Sequence, residues 1–374
     1  MIKKESFILI SILLIVSLLT TGCGNTEKAE NNKSQKIVAT QGAQEEGVDA
    51  EDNTVVTVTT KITELENGFS AVRYDGDYGF DKYLEKGGAS SDSEVIKFLT
   101  RNLLFGAADL EFQKNFFGCS TISISNPKGN ALFGRNFDWE NCKAMVVSSK
   151  PVKGYASIST VNTDFINGGN RGGLALLPSK LLTIAYLYAP LDGMNEKGLC
   201  VSVNMIQDST TIEQNTDKPD ITTTTAVRLL LDKAANVEEA LLLLEKYDMH
   251  ASMGMMVHFA LADKGGHSVV VEYMDNKMIV IDTPVVTNFY MAPGEKNGIG
   301  TAQSHTRYDI LMKKLSETPA MNMGNVRDAL DSVSKDNFGE FESTEWSVVY
   351  NQSSGEARYY HRENYKRSFT FHIQ

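Results

Sequence analysis

A cysteine, an arginine and an aspartate lie close together in this sequence and could act together on an acyl group. Cys119 lies in residues 117–121 (FGCST), and Arg135 and Asp138 follow it within twenty residues. A thiol is a weak nucleophile at its ordinary pKa, so acyl transfer needs a nearby cation, a carboxylate and a base. These residue types therefore indicate nucleophilic catalysis by the cysteine.

A β-hairpin is the element that must bring the three side chains together. Residues 120–125 alternate in the manner of a strand, residues 126–130 (NPKGN) are typical of a turn, and residues 131–137 are a second apolar strand. We expect the return strand to carry the arginine and the aspartate back toward the cysteine.

The same residues resemble a known family in type and spacing. Alone, Arg135 would more often be a surface or salt-bridged arginine, and Asp138 could be a turn carboxylate. With a cysteine preceded by Gly118, however, residues 134–138 (GRNFD) resemble the choloylglycine hydrolase and penicillin V acylase family. That family belongs to the N-terminal nucleophile (Ntn) amidohydrolases, is related to acid ceramidase, begins its mature chain with Cys and keeps these separations.

Fold and activity follow from the resemblance as expectations. It implies an α+β fold, the Ntn hydrolase αββα four-layer sandwich of two mainly antiparallel sheets. It also implies a hydrolase that acts on linear amide C–N bonds. The residue pattern by itself predicts only a mixed α/β fold, with strands, then helices, then strands, and it shows no repeat.

Several elements outside the hairpin are predicted from periodicity. A helix is expected near 93–105, and one or two helices are expected over 225–246, where Asn236 could be an N-cap with Glu239 as its partner. Strands are expected at 55–60, 255–262, 267–273, 278–281, 347–350 and 357–360.

Two asparagines are implied by the resemblance to be oxyanion-hole donors. Residues 195–199 (NEKGL) lead to Asn204, and residues 286–288 (VTN) end at Asn288. An amide N–H aimed at the site would stabilise a tetrahedral oxyanion. For Asn204, a turn or sheet edge is the alternative, and Asn288 is the better match to the family.

The resemblance also assigns roles to the charged residues. Asp138 would orient the charged α-amine of the nucleophile, and Arg135 would lower the pKa of the thiol or hold the same network. Arg307, within residues 304–308 (SHTRY), matches a late arginine of the family and would support this arrangement electrostatically.

Maturation is expected because Cys119 is internal in the chain. An Ntn enzyme uses the α-amine of its nucleophile as the base, and such an amine has a pKa of roughly 7.7 to 8.0. The Gly118–Cys119 bond should therefore be cut by the thiol itself, and glycine permits the strained backbone that this attack needs. Residues 55–118 would be a prosegment or small subunit, and residues 119–374 the catalytic domain. Retention of the segment is favoured, because its release would expose apolar surface.

The N-terminus predicts export. Lys3 and Lys4 precede an apolar run over 7–19 that is typical of a signal peptide, with a membrane anchor as the alternative. Small residues followed by Cys23 resemble a bacterial lipobox, so residues 1–22 would be a lipoprotein signal peptide and Cys23 a lipidation site. Residues 23–54 are polar and predict a disordered tether. The expected location is the bacterial cell envelope, lipid-anchored to the membrane.

Composition limits the partners. The net charge of −11 argues against nucleic acid and against an anionic lipid surface. The histidines form no metal-binding pair on a helix, and no Gly-x-Ser-x-Gly elbow occurs, so we expect no metal, no cofactor and no serine nucleophile. Cys142 and Cys200 could pair, although a buried free thiol is favoured at Cys200, whose neighbours are apolar.

Substrate and alternative function remain open at this stage. An N-acyl amide, a bile-salt conjugate or a penicillin V-like amide would all suit the family, and the long prosegment slightly favours fatty N-acyl amides. A non-catalytic ligand-binding lipoprotein on the same fold is the alternative, and a homo-oligomer is left open. Five residues near the motifs could line an acyl pocket or belong to the core: Trp139, Met205, Phe289, Tyr290 and Met291.

Overall fold

A computed structural model of the chain describes residues 51–102, 118–167, 178–336 and 343–374. The strands in these ranges are β1 (Asp52–Val55), β2 (Thr63–Glu66), β3 (Phe69–Asp75), β4 (Gly118–Ser125), β5 (Ala131–Trp139), β6 (Ala144–Lys150), β7 (Ser157–Asn162), β8 (Asp192–Asn195), β9 (Cys200–Met205), β10 (Asp220–Thr222), β11 (Asp248–His250), β12 (Val257–Ala262), β13 (Ser268–Met274), β14 (Lys277–Asp282), β15 (Val285–Val286), β16 (Ser343–Asn351), β17 (Glu356–His361) and β18 (Arg367–His372). The helices are α1 (Phe80–Glu85), α2 (Asp92–Asn102), α3 (Asp164–Asn167), α4 (Ser179–Leu187), α5 (Thr223–Lys233), α6 (Val237–Leu244), α7 (Ala302–Glu317) and α8 (Met323–Asp331).

Two large sheets form the centre of the fold. The seven-stranded sheet has the order β1-β18-β17-β16-β5-β4-β15, and the nine-stranded sheet has the order β14-β13-β12-β9-β8-β7-β6-β3-β2. Neighbours in these sheets are antiparallel except for β1 with β18 and β3 with β6, which are parallel. Asp192 of β8 accepts hydrogen bonds from Trp346 and Tyr350 of β16, so the two sheets face each other.

Helices cover the outer faces. Helices α7 and α8 pack on β4, β5, β15 and β16, whereas α4 and α5 pack on β3, β6, β8 and β9. Leu311, Val326 and Leu330 of the first pair bury their side chains against Ile122 and Leu132 of the hairpin. Burial of these apolar faces stabilises the layers, and the arrangement confirms the predicted αββα sandwich of two mainly antiparallel sheets.

The predicted hairpin is formed by β4 and β5. Its turn is closed by the Asn126 side chain, whose Oδ1 accepts hydrogen bonds from the N–H groups of Lys128 and Asn130. Gly129 has a φ of 81°, a left-handed conformation that glycine adopts without steric cost. The register places Gly118 opposite Asp138, which brings the return strand back to the cysteine as expected.

Other predicted elements are confirmed with shifted ends. The region 225–246 forms the two helices α5 and α6, and the Asn236 side chain caps α6 by accepting from the Glu239 N–H at 2.9 Å. The strands expected after residue 255 and after residue 347 are present as β12 to β14 and as β16 and β17. Helix α2 begins one residue earlier than expected, and residues 103–105 lie outside the described residues.

The strand expected at 55–60 is wrong. Strand β1 ends at Val55 in the seven-stranded sheet, and β2 begins at Thr63 in the nine-stranded sheet, so the chain crosses between the sheets here. The alternation of apolar and polar residues arises because Val56 and Val58 pack against the core, although residues 56–60 form no strand. Strand β1 also begins inside the range 23–54 that was expected to be tether.

Cysteine pairing and the N-terminal prediction have different outcomes. Cys142 and Cys200 are both buried and free, so the favoured free thiol at Cys200 is confirmed and the pairing is wrong. Cys23, the predicted signal peptide and most of the tether lie outside the described residues. Within the described ranges no helix is long and apolar enough to span a bilayer.

Candidate active site

Cys119 lies at the start of β4 and is fully buried in the intact chain. Its backbone N–H donates to Asn288 Oδ1 at 2.8 Å, and its carbonyl oxygen accepts from Arg307 Nη1 at 2.5 Å. Its Sγ lies 3.5 Å from Arg135 Nη2. Three of the predicted site residues therefore touch three different atoms of the cysteine.

Strand geometry separates the two charged residues of β5. Side chains alternate between the faces of a strand, so Arg135 shares the inner face with Phe137, which pairs with Cys119. The side chain of Asp138 points to the opposite face of the sheet from Arg135, the face that α7 and α8 cover. The site therefore surrounds the first residues of β4 from both faces of the sheet.

Arg135 is held by a carboxylate that the sequence reading missed. Its Nη1 lies 2.6 Å from Asp192 Oδ2 and 2.5 Å from the Leu191 carbonyl oxygen, and its Nη2 donates to the Val203 carbonyl oxygen at 2.9 Å. Both side chains of the ion pair are fully buried. Trp346 Nε1 and Tyr350 OH each donate to the Asp192 carboxylate at 3.0 Å. The guanidinium is therefore fixed in direction and compensated in charge.

Burial controls the ionisation of the thiol. It raises the pKa of Cys119, while the Arg135 cation acts to lower that pKa and Asp138 to raise it further, and the net result is a rise. Burial also acts to lower the pKa of Arg135, but the adjacent Asp192 and Cys119 outweigh it and raise that pKa. In the intact chain the arginine is charged and the thiol is protonated, so the expected lowering of the thiol pKa by Arg135 is outweighed by burial.

Asp138 lies beside Arg307 on the other face. Its Oδ1 accepts from Thr344 Oγ1 at 2.7 Å, and its Oδ2 lies 3.7 Å from Arg307 Nη1 and 4.0 Å from Lys335 Nζ. This Oδ2 is buried and has no hydrogen-bond partner among the described residues. A carboxylate oxygen without a donor, opposite Gly118, is suited to accept from an amine formed at Cys119.

Asn288 is a positioning residue in this structure. Its Oδ1 accepts from the Cys119 N–H and from Arg307 Nη2 at 2.7 Å, and its Nδ2 donates to the Met205 carbonyl oxygen at 2.7 Å. Its backbone N–H donates to Ser304 Oγ at 2.7 Å. All of its amide atoms are engaged, so the side chain holds the nitrogen of the Gly118–Cys119 bond in place.

The side-chain amide of Asn204 has a donor that no described residue engages. Asp192 pairs with Ser202 in the sheet, so Asn204, two residues further along β9, lies on the same inner face. Its Oδ1 accepts from Ser202 Oγ at 2.8 Å, and its Nδ2 is buried without a hydrogen-bond partner among the described residues. An unengaged buried donor is what an oxyanion hole requires. In this structure the Asn288 amide is engaged with Met205, whereas the Asn204 Nδ2 is not engaged by any described residue.

Four further residues of this region escaped the sequence reading: Asp192, His258, Glu272 and Ser304. Each is a fully buried polar residue. His258 and Glu272 lie on strands made mostly of apolar residues. A polar residue inside an apolar strand was the available signal for these two, and it does not reveal the partner.

Trp139, Met205, Phe289 and Tyr290 are buried, and Met291 is partly buried against the core. Trp139 makes an edge-to-face contact with Phe165, and Phe289 stacks on His305 with 4.1 Å between ring centroids. In the intact chain they therefore act as core residues around the site. Among the described residues, no group of three or more His, Cys, Asp or Glu side chains is placed to hold a metal ion.

Comparison with known sequences gives one family. Residues 119–290 match the linear amide C-N hydrolases, choloylglycine hydrolase family. The match begins at Cys119 and ends two residues after Asn288. No curated protein sequence matches the chain significantly.

Comparison with solved structures supports the fold. Two crystal structures of conjugated bile acid hydrolase from Clostridium perfringens, one of a cysteine variant and one of an arginine variant, each match with a TM-score of 0.51 and 16% identity. Each match covers 68% of this chain and 92% of the other. Penicillin V acylase from Agrobacterium tumefaciens matches with a TM-score of 0.42 and 17% identity over 65% of this chain and 83% of its own. At 16% identity the likeness to the two conjugated bile acid hydrolase structures establishes the fold alone.

Proposed function

We propose that this chain, whose residues 119–290 match the choloylglycine hydrolase family of linear amide C–N hydrolases, hydrolyses an N-acyl amide with Cys119 as its N-terminal nucleophile. The observation that carries the proposal is the convergence on one cysteine of Arg135 at the thiol, Asn288 at the backbone nitrogen and Arg307 at the carbonyl oxygen. These contacts surround the atoms that an Ntn nucleophile uses.

Maturation is the first step of the proposal. The Cys119 sulfur forms a bond to the Gly118 carbonyl carbon, the C–N bond breaks, and the cysteine nitrogen leaves as a free amine after gaining a proton. Water then hydrolyses the thioester, which releases the Gly118 carboxylate and restores the thiol. Asn288 supports this step because its Oδ1 already holds the nitrogen that must leave.

Catalysis then uses the new α-amine as the base. The Cys119 sulfur attacks the substrate carbonyl carbon, and Asn204 Nδ2 donates to the developing oxyanion. The α-amine transfers a proton to the leaving nitrogen, and water hydrolyses the acyl thioester. Asp138 accepts a hydrogen bond from the charged amine through its unpartnered Oδ2, and Arg307 fixes the backbone of the nucleophile.

The test of maturation is the intact mass and the N-terminal sequence of the full chain, compared with Cys119→Ala. We expect a fragment that begins at Cys119 in the wild type and is absent from the variant. A single uncut chain in both, at mildly acidic and neutral pH, would contradict the proposal and favour a non-catalytic ligand-binding lipoprotein.

The substrate class is tested on the cut protein. We propose fatty N-acyl amides ahead of bile-salt conjugates and penicillin V, on the ground of the long segment before Cys119. Initial rates of hydrolysis, measured on a panel that contains all three substrate classes, give the order of preference. Faster turnover of a bile-salt conjugate or of penicillin V would overturn this choice and leave amide hydrolysis itself intact.

The segment before Cys119 is proposed to stay bound after cleavage. Strand β3 pairs with β6 along seven residues, and β1 pairs with β18 along four. Phe69, Val72 and Tyr83 are fully buried, and Tyr78 OH donates to the buried carboxylate of Asp232. Its loss would expose these apolar side chains and leave two sheet edges unpaired.

Retention bears on location, because the proposed lipid anchor at Cys23 lies on the N-terminal fragment. A bound fragment would hold the catalytic domain at the membrane of the cell envelope without a covalent link. Size-exclusion chromatography of the cut protein should show both fragments in one peak, and in two peaks after denaturation. Early loss of the N-terminal fragment in native buffer would refute retention. Metabolic labelling with a fatty acid, compared with Cys23→Ala, tests the anchor.

A further inference from the structure

His258 and Glu272 form a fully buried contact behind the segment that carries Asn288. His258 lies on β12, and its Nδ1 is 3.0 Å from Glu272 Oε1 on β13. Its Nε2 is 2.7 Å from the Thr287 carbonyl oxygen. Both side chains have no exposed surface.

The two contacts fix the number of protons on the imidazole ring. A carbonyl oxygen can only accept a hydrogen bond, and an ionised carboxylate can only accept as well. Each neutral tautomer has one N–H, so it would leave a ring-nitrogen lone pair facing an oxygen lone pair at 3.0 Å or less. A ring with protons on both nitrogens satisfies both contacts.

Glu272 is held as a carboxylate by two backbone donors in addition to the histidine. Its Oε1 also accepts from the Met291 N–H and its Oε2 from the Ala292 N–H, both at 2.8 Å. Burial acts to raise the pKa of Glu272, but the hydrogen bonds from His258 and from these two N–H groups outweigh burial and lower it. A buried carboxylate needs a cation as its partner. The contacting histidine supplies one.

We propose that His258 is a buried imidazolium that, paired with Glu272, positions Asn288 for maturation and catalysis. The positioning part rests on the proposed function. The pair fixes the Thr287 carbonyl oxygen before Asn288 and the Met291 and Ala292 N–H groups after it. Asn288 is thereby held at the backbone nitrogen of Cys119 from both ends of its segment.

The surroundings contain few other titratable groups. On β9 the residue opposite His258 is the neutral Asn204. On the segment after Asn288, Tyr290 faces Glu272, and its hydroxyl donates to Asp208, which also binds Lys296. On β13 the charged residue that contacts His258 is Glu272. Loss of the imidazolium proton would therefore break the contact either to Glu272 or to the Thr287 carbonyl oxygen.

The protonation state is tested by nitrogen-15 NMR of the full chain with labelled histidines and Cys119→Ala, which keeps it uncut. We expect both ring nitrogens of His258 to resonate in the imidazolium range at neutral pH, with the signal assigned by its absence from His258→Gln. A pyridine-type nitrogen signal from His258 would overturn the proposal. The result does not depend on activity, so failure of the proposed function and failure of this inference are distinguishable.

Glu272→Gln tests the coupling of the two residues. Without the carboxylate, we expect His258 to become neutral in the same NMR experiment. Asp282→Asn is the matched control, because Asp282, at the end of β14, pairs at 2.9 Å with the exposed His267 in the turn between β12 and β13. An imidazolium signal that persists in Glu272→Gln would contradict the pairing.

Positioning is tested by His258→Gln, with His267→Gln as the control. We expect kcat to fall on the order of 10²-fold in the first variant, with KM little changed, because Asn288 loses its fixed geometry. The control should keep wild-type values. An unchanged kcat in His258→Gln, with the NMR result confirmed, would leave a buried ion pair that does not position Asn288 and would overturn the second half of the proposal.

Discussion

Two buried arginine–aspartate pairs of this protein have the same composition and different uses. Arg135 and Asp192 lie between the sheets at 2.6 Å, and Arg228 and Asp232 lie on α5 at 2.9 Å, with little or no exposed surface in either pair. Arg135 Nη2 points to the Cys119 sulfur. The second pair instead receives the hydroxyl of Tyr78, from the segment before the cysteine.

The difference shows that burial of an ion pair does not by itself mark a catalytic site. Both arginines have raised pKa values although burial acts against this, because an aspartate compensates each of them. The two pairs differ in their third contact, which is the Cys119 sulfur in one case and Tyr78 of the segment before Cys119 in the other. Three pairs of variants test whether the third contact distinguishes the two ion pairs.

Removal of the cations should have the largest effect. Arg135→Met and Arg228→Met each leave a buried aspartate uncompensated, so we expect each to lower the free energy of unfolding by about 3–5 kcal/mol. Urea titration in the Cys119→Ala background measures this. In the presence of Cys119, the folded fraction of Arg228→Met should still be cut at Gly118–Cys119, whereas Arg135→Met should not be cut. Equal cutting in both would show that Arg135 is only structural.

Removal of the carboxylate charges should have an intermediate effect, and this effect should be on the ionisation of the Cys119 thiol. In Asp192→Asn the Arg135 cation is no longer compensated, so the pKa of the Cys119 thiol should fall. Asp232→Asn should leave that pKa unchanged. The measurement is the ultraviolet absorbance of the thiolate as a function of pH, taken as the difference from Cys119→Ser. A higher thiol pKa in Asp192→Asn would contradict the role given to Asp192.

Removal of single hydroxyls should have the smallest effect. Tyr350→Phe and Tyr78→Phe each delete a hydrogen bond to a buried carboxylate, so we expect about 2 kcal/mol less stability in both. Tyr350→Phe should also lower kcat/KM several-fold, while Tyr78→Phe should leave kcat/KM unchanged and weaken retention of the N-terminal fragment on a size-exclusion column. Identical kinetics in the two variants would remove the distinction between the pairs.

The hairpin and the position of Cys119 were predictable because they depend on local sequence. Turn residues at 126–130 and alternation on both sides of them set the register, and the register sets the distance from Cys119 to Arg135 and Asp138. The capped helix α6 was predictable for the same reason. The strand expected at 55–60 failed because alternation reports burial of every second side chain, and it does not report which sheet accepts the backbone hydrogen bonds.

The local sequence was enough to predict the hairpin and the return of Arg135 and Asp138 to Cys119, since spacing along a hairpin is a local property. Three features depend on tertiary contacts: the carboxylate that compensates Arg135, the free amide donor of Asn204 and the two acceptors that His258 contacts. Asp192 lies 57 residues beyond Arg135, and Arg307 lies 188 residues beyond Cys119. Such pairs form where two sheets and a helix meet, and the charge of a buried group depends on what faces it across that contact.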